Sequence, residues 1–216
     1  MSKKESTLMN MLLALLVIAT VAAAALAGVY LLTKDSIDKV QDDKEQQAMN
    51  NVLPNFNGKT KSVGVLLTAA DKKAANPQLT DAKDDKDSVY VNLAYDQNGL
   101  FGAAVKTYTD KAFSGKFTIM VGFDQEGKIL GTAVISASET PGLGDKIKSD
   151  WANQFKEKGW NPVEKPLSVN KDGGEVQAIT AATISSRAFC DAVNRAAMAY
   201  QKVLNVEKPN QKGEEK

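Results

Sequence analysis

Histidine is missing from the 216 residues altogether. Its absence removes histidine-based catalytic triads, haem axial histidines and most zinc sites. Cysteine occurs once, as Cys190. A lone thiol makes no internal disulfide and holds no iron–sulfur cluster by itself. Any redox chemistry therefore has to come from an organic cofactor. The chain also lacks an excess of either charge, with 27 basic against 26 acidic residues. That balance argues against nucleic acid or another bulk electrostatic partner.

One stretch lacks charge of both signs. No charged residue occurs from Ser6 to Thr33, and Leu8 to Leu32 is mostly apolar. A membrane span needs about 20 such residues. Ala25-Leu26-Ala27 has the small-x-small form of a signal cleavage site. The apolar run nevertheless continues through Val29, Tyr30, Leu31 and Leu32. An uncleaved anchor in a lipid bilayer is therefore expected over 8–33, behind a short tail at 1–7. Lys3 and Lys4 precede the span while Lys34, Lys39 and Lys44 follow it, so counting positive charges does not orient it.

Beyond the anchor, Ile37, Val40, Met49, Val52 and Leu53 give a partial apolar face to a charged stalk helix, which Pro54 ends. Residues 69–88 are polar and aperiodic and predict a surface loop or insertion, so 34–88 reads as stalk and linker. Two similar stretches follow, "YDQNGLFGAAVKTY" from Tyr95 and "FDQEGKILGTAVIS" from Phe123. Each predicts an antiparallel hairpin, turning at Asn98-Gly99 or Glu126-Gly127, with Val89–Tyr95 and Phe117–Phe123 as incoming strands. Ile147, Trp151 and Phe155 predict a short helix with one apolar stripe. Asp172-Gly173-Gly174 predicts another hairpin, with Glu175–Ile179 as its second strand. Val193, Ala197, Tyr200 and Leu204 predict a final helix from Ser185, followed by a polar, disordered tail at 207–216. The order predicts an α+β chain: an N-terminal transmembrane helix, then an antiparallel-sheet domain over 89–206 with a C-terminal helix.

Two segments carry candidate chemistry. "AITAATISSRAF", residues 178–189, gathers four hydroxyls at Thr180, Thr183, Ser185 and Ser186 where the last helix begins. The first turn of a helix leaves backbone N–H groups unpaired, and the helix dipole favours an anion such as phosphate there. Small residues, Ala181 and Ala182, let such a group approach the backbone. Serine and threonine are also ordinary N-caps. "ETPGLGDKI", residues 139–147, reads as a turn, or as a loop whose glycines let backbone lie against a flat ligand. Taken singly, each segment reads as ordinary structure.

Taken together, "SETPGLGDKI" and "AITAATISSRAF" resemble the covalent flavin-binding domain of membrane electron-transport proteins. That family includes the G subunit of the Rnf ion-translocating oxidoreductase and the C subunit of the sodium-pumping NADH:quinone reductase. The resemblance covers about residues 89–206, and the anchor in kind; total length is closer to the Rnf protein. It implies FMN joined through its phosphate to the hydroxyl of Thr183 by an external flavin transferase, which is why no local histidine is needed. Thr180, Ala182, Ser185 and Ser186 would surround the phosphate. Glu139, Thr140, Gly142, Leu143 and Gly144 would line the flavin ring, with Lys146 and Trp151 as neighbours. It also implies the other membrane and peripheral subunits of the Rnf complex as partners. The complex would move electrons between ferredoxin and NAD and couple this to sodium or proton transport. The domain would lie outside a bacterial cytoplasmic membrane, with Lys3 and Lys4 inside. Two positions depart from the family pattern: Gln177 stands where aspartate is usual and Ala181 where glycine is usual. Alanine fits at 181 if the backbone φ is negative. The alternatives are the sodium-pump protein and a flavin-free envelope module of the same fold.

Overall fold

The computed structural model describes residues 8–75, 87–97 and 99–207. The chain divides into two compact units, Met1–Lys44 and Glu45–Lys216. Helix α1, Leu8–Val52, is continuous and starts in the first unit. Its N-terminal part is long and apolar enough to cross a membrane, and none of that window is buried by protein. At about 1.5 Å rise per residue, its roughly 25 apolar residues span ~37 Å, more than the ~30 Å hydrocarbon core of a bilayer. Pro54 follows the helix end, as expected.

The second unit is built on five antiparallel strands in sequence order: β1 Lys59–Leu67, β2 Asp87–Asp96, β3 Gly99–Ala112, β4 Gly115–Phe123 and β5 Ile129–Ser136. The hairpins expected from the two similar stretches form, as β2–β3 and β4–β5. Strand alternation sends neighbouring residues to opposite faces. Leu93, Ala103, Val105, Ile119 and Val121 join the larger core under helix α4, Thr183–Glu207, which contributes Phe189, Val193, Ala197 and Tyr200. Ala94, Ala104 and Met120 face the other way and meet Ala48 and Val52 from the end of α1 and Leu53 just after it. The fit there is close: a Cβ on Gly122 would collide with the carbonyl oxygen of Val52. Lys106 on β3 pairs with Glu45 of α1 beside this second core.

Three local readings change. Residues 59–67, inside the stretch whose polarity predicts stalk and linker, form edge strand β1; exposure along most of its length explains why it looks like linker. Residues 69–75, expected to be loop, form helix α2, Ala69–Ala75. Thr68 caps it: Asp71 Oδ2 accepts from Thr68 N–H at 2.6 Å, and Asp71 N–H donates to Thr68 Oγ1 at 3.3 Å. The rest of the expected loop, 76–86, and the tail at 208–216 lie outside the described residues, as do the N-terminal tail at 1–7 and the turn residue Asn98. The expected hairpin around Asp172 is a looped turn instead. A short 3-10 turn, Asn170–Asp172, leads into Gly173 at φ 81°, and only an isolated bridge joins Val169 to Val176. That bridge is parallel, a pairing that two strands joined by a tight hairpin turn cannot extend.

The stripe of Ile147, Trp151 and Phe155 is present, but not on one helix. It runs over 3-10 turns at Gly144–Lys148 and Asp150–Ala152 and then α3, Asn153–Glu157. Extended Ser149, at ψ −170°, breaks the helical path. Ile147 and Phe155 are fully buried. Trp151 packs edge-on against Phe155 and Phe189, with centroids 5.5 and 5.3 Å away.

Candidate functional site

The four hydroxyls at the start of α4 divide into separate tasks. Ser186 is fully buried. Its Oγ accepts from Ile179 N–H at 2.9 Å and donates to the Ala182 carbonyl at 3.0 Å, fastening the turn that enters the helix. Ser185, also buried, donates to Oε2 of Glu139. Thr180 is exposed. Thr183, half-buried, is the first helical residue and faces a cavity.

That cavity has a volume of about 330 Å³. It is lined by Glu139, Thr140, Leu143 and Gly144 of one motif and by Ala182, Thr183 and Ser185 of the other. Phe113, Ala181 and Ile184 complete the wall. Gly142, Lys146, Thr180, Ser186 and Trp151 do not line it. Gly142, at φ 76°, shapes the 139–144 turn from outside, and Lys146 is exposed on the 3-10 turn that follows. The indole N–H of Trp151 donates to the Gln177 carbonyl at 2.7 Å. Gln177 N–H in turn donates to Gln154 Oε1 at 2.9 Å, and the side chain at this departure from the family pattern is exposed.

Glu139 joins the two motifs. It is only 6% exposed, and both carboxylate oxygens are used. Oε1 accepts from Ser114 N–H, at the β3–β4 turn, at 2.9 Å; Oε2 accepts from Ser185. Gly144 leaves room for this pair, since a Cβ there would lie 2.8 Å from Ser185 Oγ and closer still to Glu139 Oε2.

Composition and motif reading miss three residues of this region. Phe113 and Ile184 stand on the cavity wall 69% and 48% exposed, beside Leu143 at 42%. Exposed apolar side chains from three separate segments therefore converge on one opening, and a short turn with one aromatic gives no sequence signal of that. The third is Lys171, whose Nζ donates to Thr183 Oγ1 at 3.1 Å. The adjacent Asp172 takes two bonds from Arg187, at 2.7 and 2.6 Å, and this guanidinium holds the Asp172 carboxyl below its ordinary range. Cys190 is buried, and desolvation pushes its thiol up to about 12, so it is an inert packing residue.

Ala181 has φ 64°, in the left-handed region. The negative φ at which alanine would fit is therefore not the one the backbone adopts. A Cβ in this region costs about 1–2 kcal/mol, which is the reason glycine suits the position. Ala181→Gly is expected to raise stability by about 0.5–1 kcal/mol, seen as a higher denaturant midpoint of the full chain in detergent.

Comparison with known proteins bears on the same two regions. A family model described as the FMN-binding domain matches residues 113–198, and one described as the RnfG N-terminal region matches residues 12–52. The chain is 32% identical over 200 residues to the G subunit of the ion-translocating oxidoreductase complex of Aliivibrio fischeri, covering 91% of each chain. This chain belongs to the family of G subunits of ion-translocating oxidoreductase complexes. The G subunit of Haemophilus influenzae (strain PittEE) is 34% identical over 183 residues, with 80% of each chain covered. That of Yersinia pestis is 42% identical over 113 residues, covering 50% of this chain and 54% of its own. The FMN-binding match in this member of the G-subunit family runs from Phe113 on the cavity wall through the whole of the 139–147 and 178–189 segments.

The residues present fit FMN. The cavity falls within the roughly 300–1,000 Å³ of small-molecule sites. Phe113, Leu143 and Ile184 supply apolar surface for a flat ring system. The first-turn amides of α4 and the Lys171 ammonium supply what a phosphate needs.

Proposed function

We propose that this chain is the membrane-anchored electron-transfer subunit of an ion-translocating ferredoxin:NAD oxidoreductase, carrying FMN as a phosphoester on Thr183. The observation that carries the reading is the position of the Thr183 hydroxyl. It opens on the cavity at the first turn of α4, with a cation 3.1 Å away, inside the region that matches the FMN-binding domain. The bound flavin would supply one- and two-electron chemistry. The protein's part is to hold it, exclude side reactions and present it to neighbouring subunits, with no substrate turnover of its own. Attachment needs an anhydride of FMN as donor, because FMN itself offers no good leaving group. In that attachment the Thr183 oxygen would bond to phosphorus as the anhydride P–O bond broke, the leaving phosphate ester taking that electron pair. The hydroxyl proton passes to a base of the flavin transferase, since no histidine is at hand in this chain. Helix α1 would anchor the domain in the lipid bilayer on the periplasmic side, with Lys3 and Lys4 in the cytoplasm. The coupled ion would be sodium or a proton.

The test is the mass of the peptide containing Thr183, taken from the full chain produced in cells that possess the flavin transferase. One FMN adduct on that peptide is expected, and its complete loss in Thr183→Ala. An unmodified wild-type peptide from such cells would overturn the ester on Thr183 and favour the alternative of a flavin-free envelope module.

A further inference from the structure

We infer that Lys171 is the counter-cation of the phosphoryl group on Thr183, held in place by the clamp between Arg187 and Asp172. The inference rests on the reading of Thr183 as flavin acceptor and adds a residue to that site from a loop outside both motifs.

Lys171 lies twelve residues before Thr183 in a turn that carries no ligand motif. An exposed lysine has many rotamers open to it, so a fixed position needs a cause. The turn supplies it. Asn170 N–H donates to the Val176 carbonyl at 2.7 Å, and Val176 N–H donates to the Ser168 carbonyl at 3.1 Å, which closes the base of the loop. Asp172 receives Arg187 through two parallel bonds, the geometry that most restricts a guanidinium–carboxylate pair. Arg187 and Thr183 are four residues apart on α4 and so share one face of the helix. Loop residues 171 and 172 thus meet helix residues 183 and 187 in register. The carboxylate next to Lys171 is already committed to Arg187, and among the described residues the ammonium meets a neutral hydroxyl, that of Thr183.

A half-buried hydroxyl gains little from an ammonium that water could replace. A phosphodiester on the same oxygen changes the balance. It carries one negative charge, and its non-bridging oxygens lie two bonds from Oγ1, within reach of Lys171 and of the helix amides. Lys171 is therefore a positioning residue for the phosphate, with no part in electron transfer.

The experiment uses the full chain in detergent, in two arms. In the first, chain made without the flavin transferase is titrated with FMN and with riboflavin, which lacks the phosphate, and flavin fluorescence is followed. Lys171→Gln is expected to weaken FMN binding about tenfold while leaving riboflavin unchanged, and Lys171→Arg to restore it. Equal FMN affinity in Lys171→Gln and wild type overturns the inference. So does an equal loss for both ligands, which would mark Lys171 as structural. In the second arm, the transferase is supplied and the rate of adduct formation is read by mass. Slower attachment in Lys171→Gln, recovered in Lys171→Arg, supports the inference; the wild-type rate in Lys171→Gln overturns it and leaves the ester standing. Discrimination by phosphate through Lys171, with no adduct on wild-type Thr183, would retire the ester and leave the counter-cation.

Discussion

Gly144→Ala is expected to cost about 2–4 kcal/mol and to lower the yield of flavin on the protein. The new Cβ would stand 2.8 Å from Ser185 Oγ and nearer to Glu139 Oε2. Neither atom can retreat freely. Glu139 is buried, and its other oxygen is held by Ser114 N–H at 2.9 Å. Ser185 sits in the first turn of α4 and is 1% exposed. Relief therefore means separating Glu139 from Ser185, which leaves a buried carboxylate oxygen and a buried hydroxyl short of a partner. That separation also parts the two walls of the cavity. The cost is read as a fall in melting temperature, and the effect on the site as a smaller FMN adduct on the Thr183 peptide. A wild-type melting temperature in Gly144→Ala would show that the Glu139–Ser185 contact does not join the motifs. Gly142→Ala is the useful comparison: Gly142 has φ 76° with open space around it, so the cost there is backbone strain and the cavity walls stay together.

Phe189→Ala is expected to be the more damaging change, at about 3–5 kcal/mol. Phe189 is fully buried on α4, with the rings of Phe117, Trp151 and Phe155 at centroid distances of 6.2, 5.3 and 4.9 Å. These rings come from β4, a 3-10 turn and α3, so the side chain holds the sheet and the segment after the motif loop against α4. Its removal leaves a void whose lining closes poorly, because two of the three neighbouring rings are fixed by a further contact. Trp151 donates to Gln177, and Phe155 packs edge-on against Trp160 at 5.6 Å. Chemical denaturation of the full chain in detergent measures the loss. A cost under about 1 kcal/mol would mean that the aromatic group repacks freely, against its close-packed geometry.

The same aromatic group shows where sequence reasoning reaches and where it stops. Spacing alone put Ile147, Trp151 and Phe155 on one apolar stripe, and burial agrees. It could not show that the stripe crosses two 3-10 turns, because extended Ser149 resets the path without altering the spacing. The hairpins were legible because turn residues and alternating apolar residues lie within a few positions of each other. β1 was not, since an exposed edge strand has little alternation to display. α2 could have been found from Thr68 and Asp71, three residues apart, which is a capping signature.

At the site, the two motifs stood out in the sequence, but the division of labour among their hydroxyls did not. Ser185 and Ser186 are adjacent, and both are buried; one reaches Glu139 across 46 residues and the other folds back on its own turn. Nothing in a string of small polar residues tells these roles apart. Phe113 and Lys171 escaped notice for the same reason, as each acts through residues distant in sequence.

By itself the sequence determined the apolar N-terminal helix, the β2–β3 and β4–β5 hairpins, the final helix and the two segments that carry the family likeness, because each depends on periodicity or turn chemistry between near neighbours. Only the tertiary structure decided which hydroxyl faces the cavity, that Glu139 and Gly144 join its walls, that Ala181 is strained, and that a lysine from a separate loop reaches Thr183. Those depend on direction and distance between segments far apart in the chain, which folding sets and local pattern does not encode.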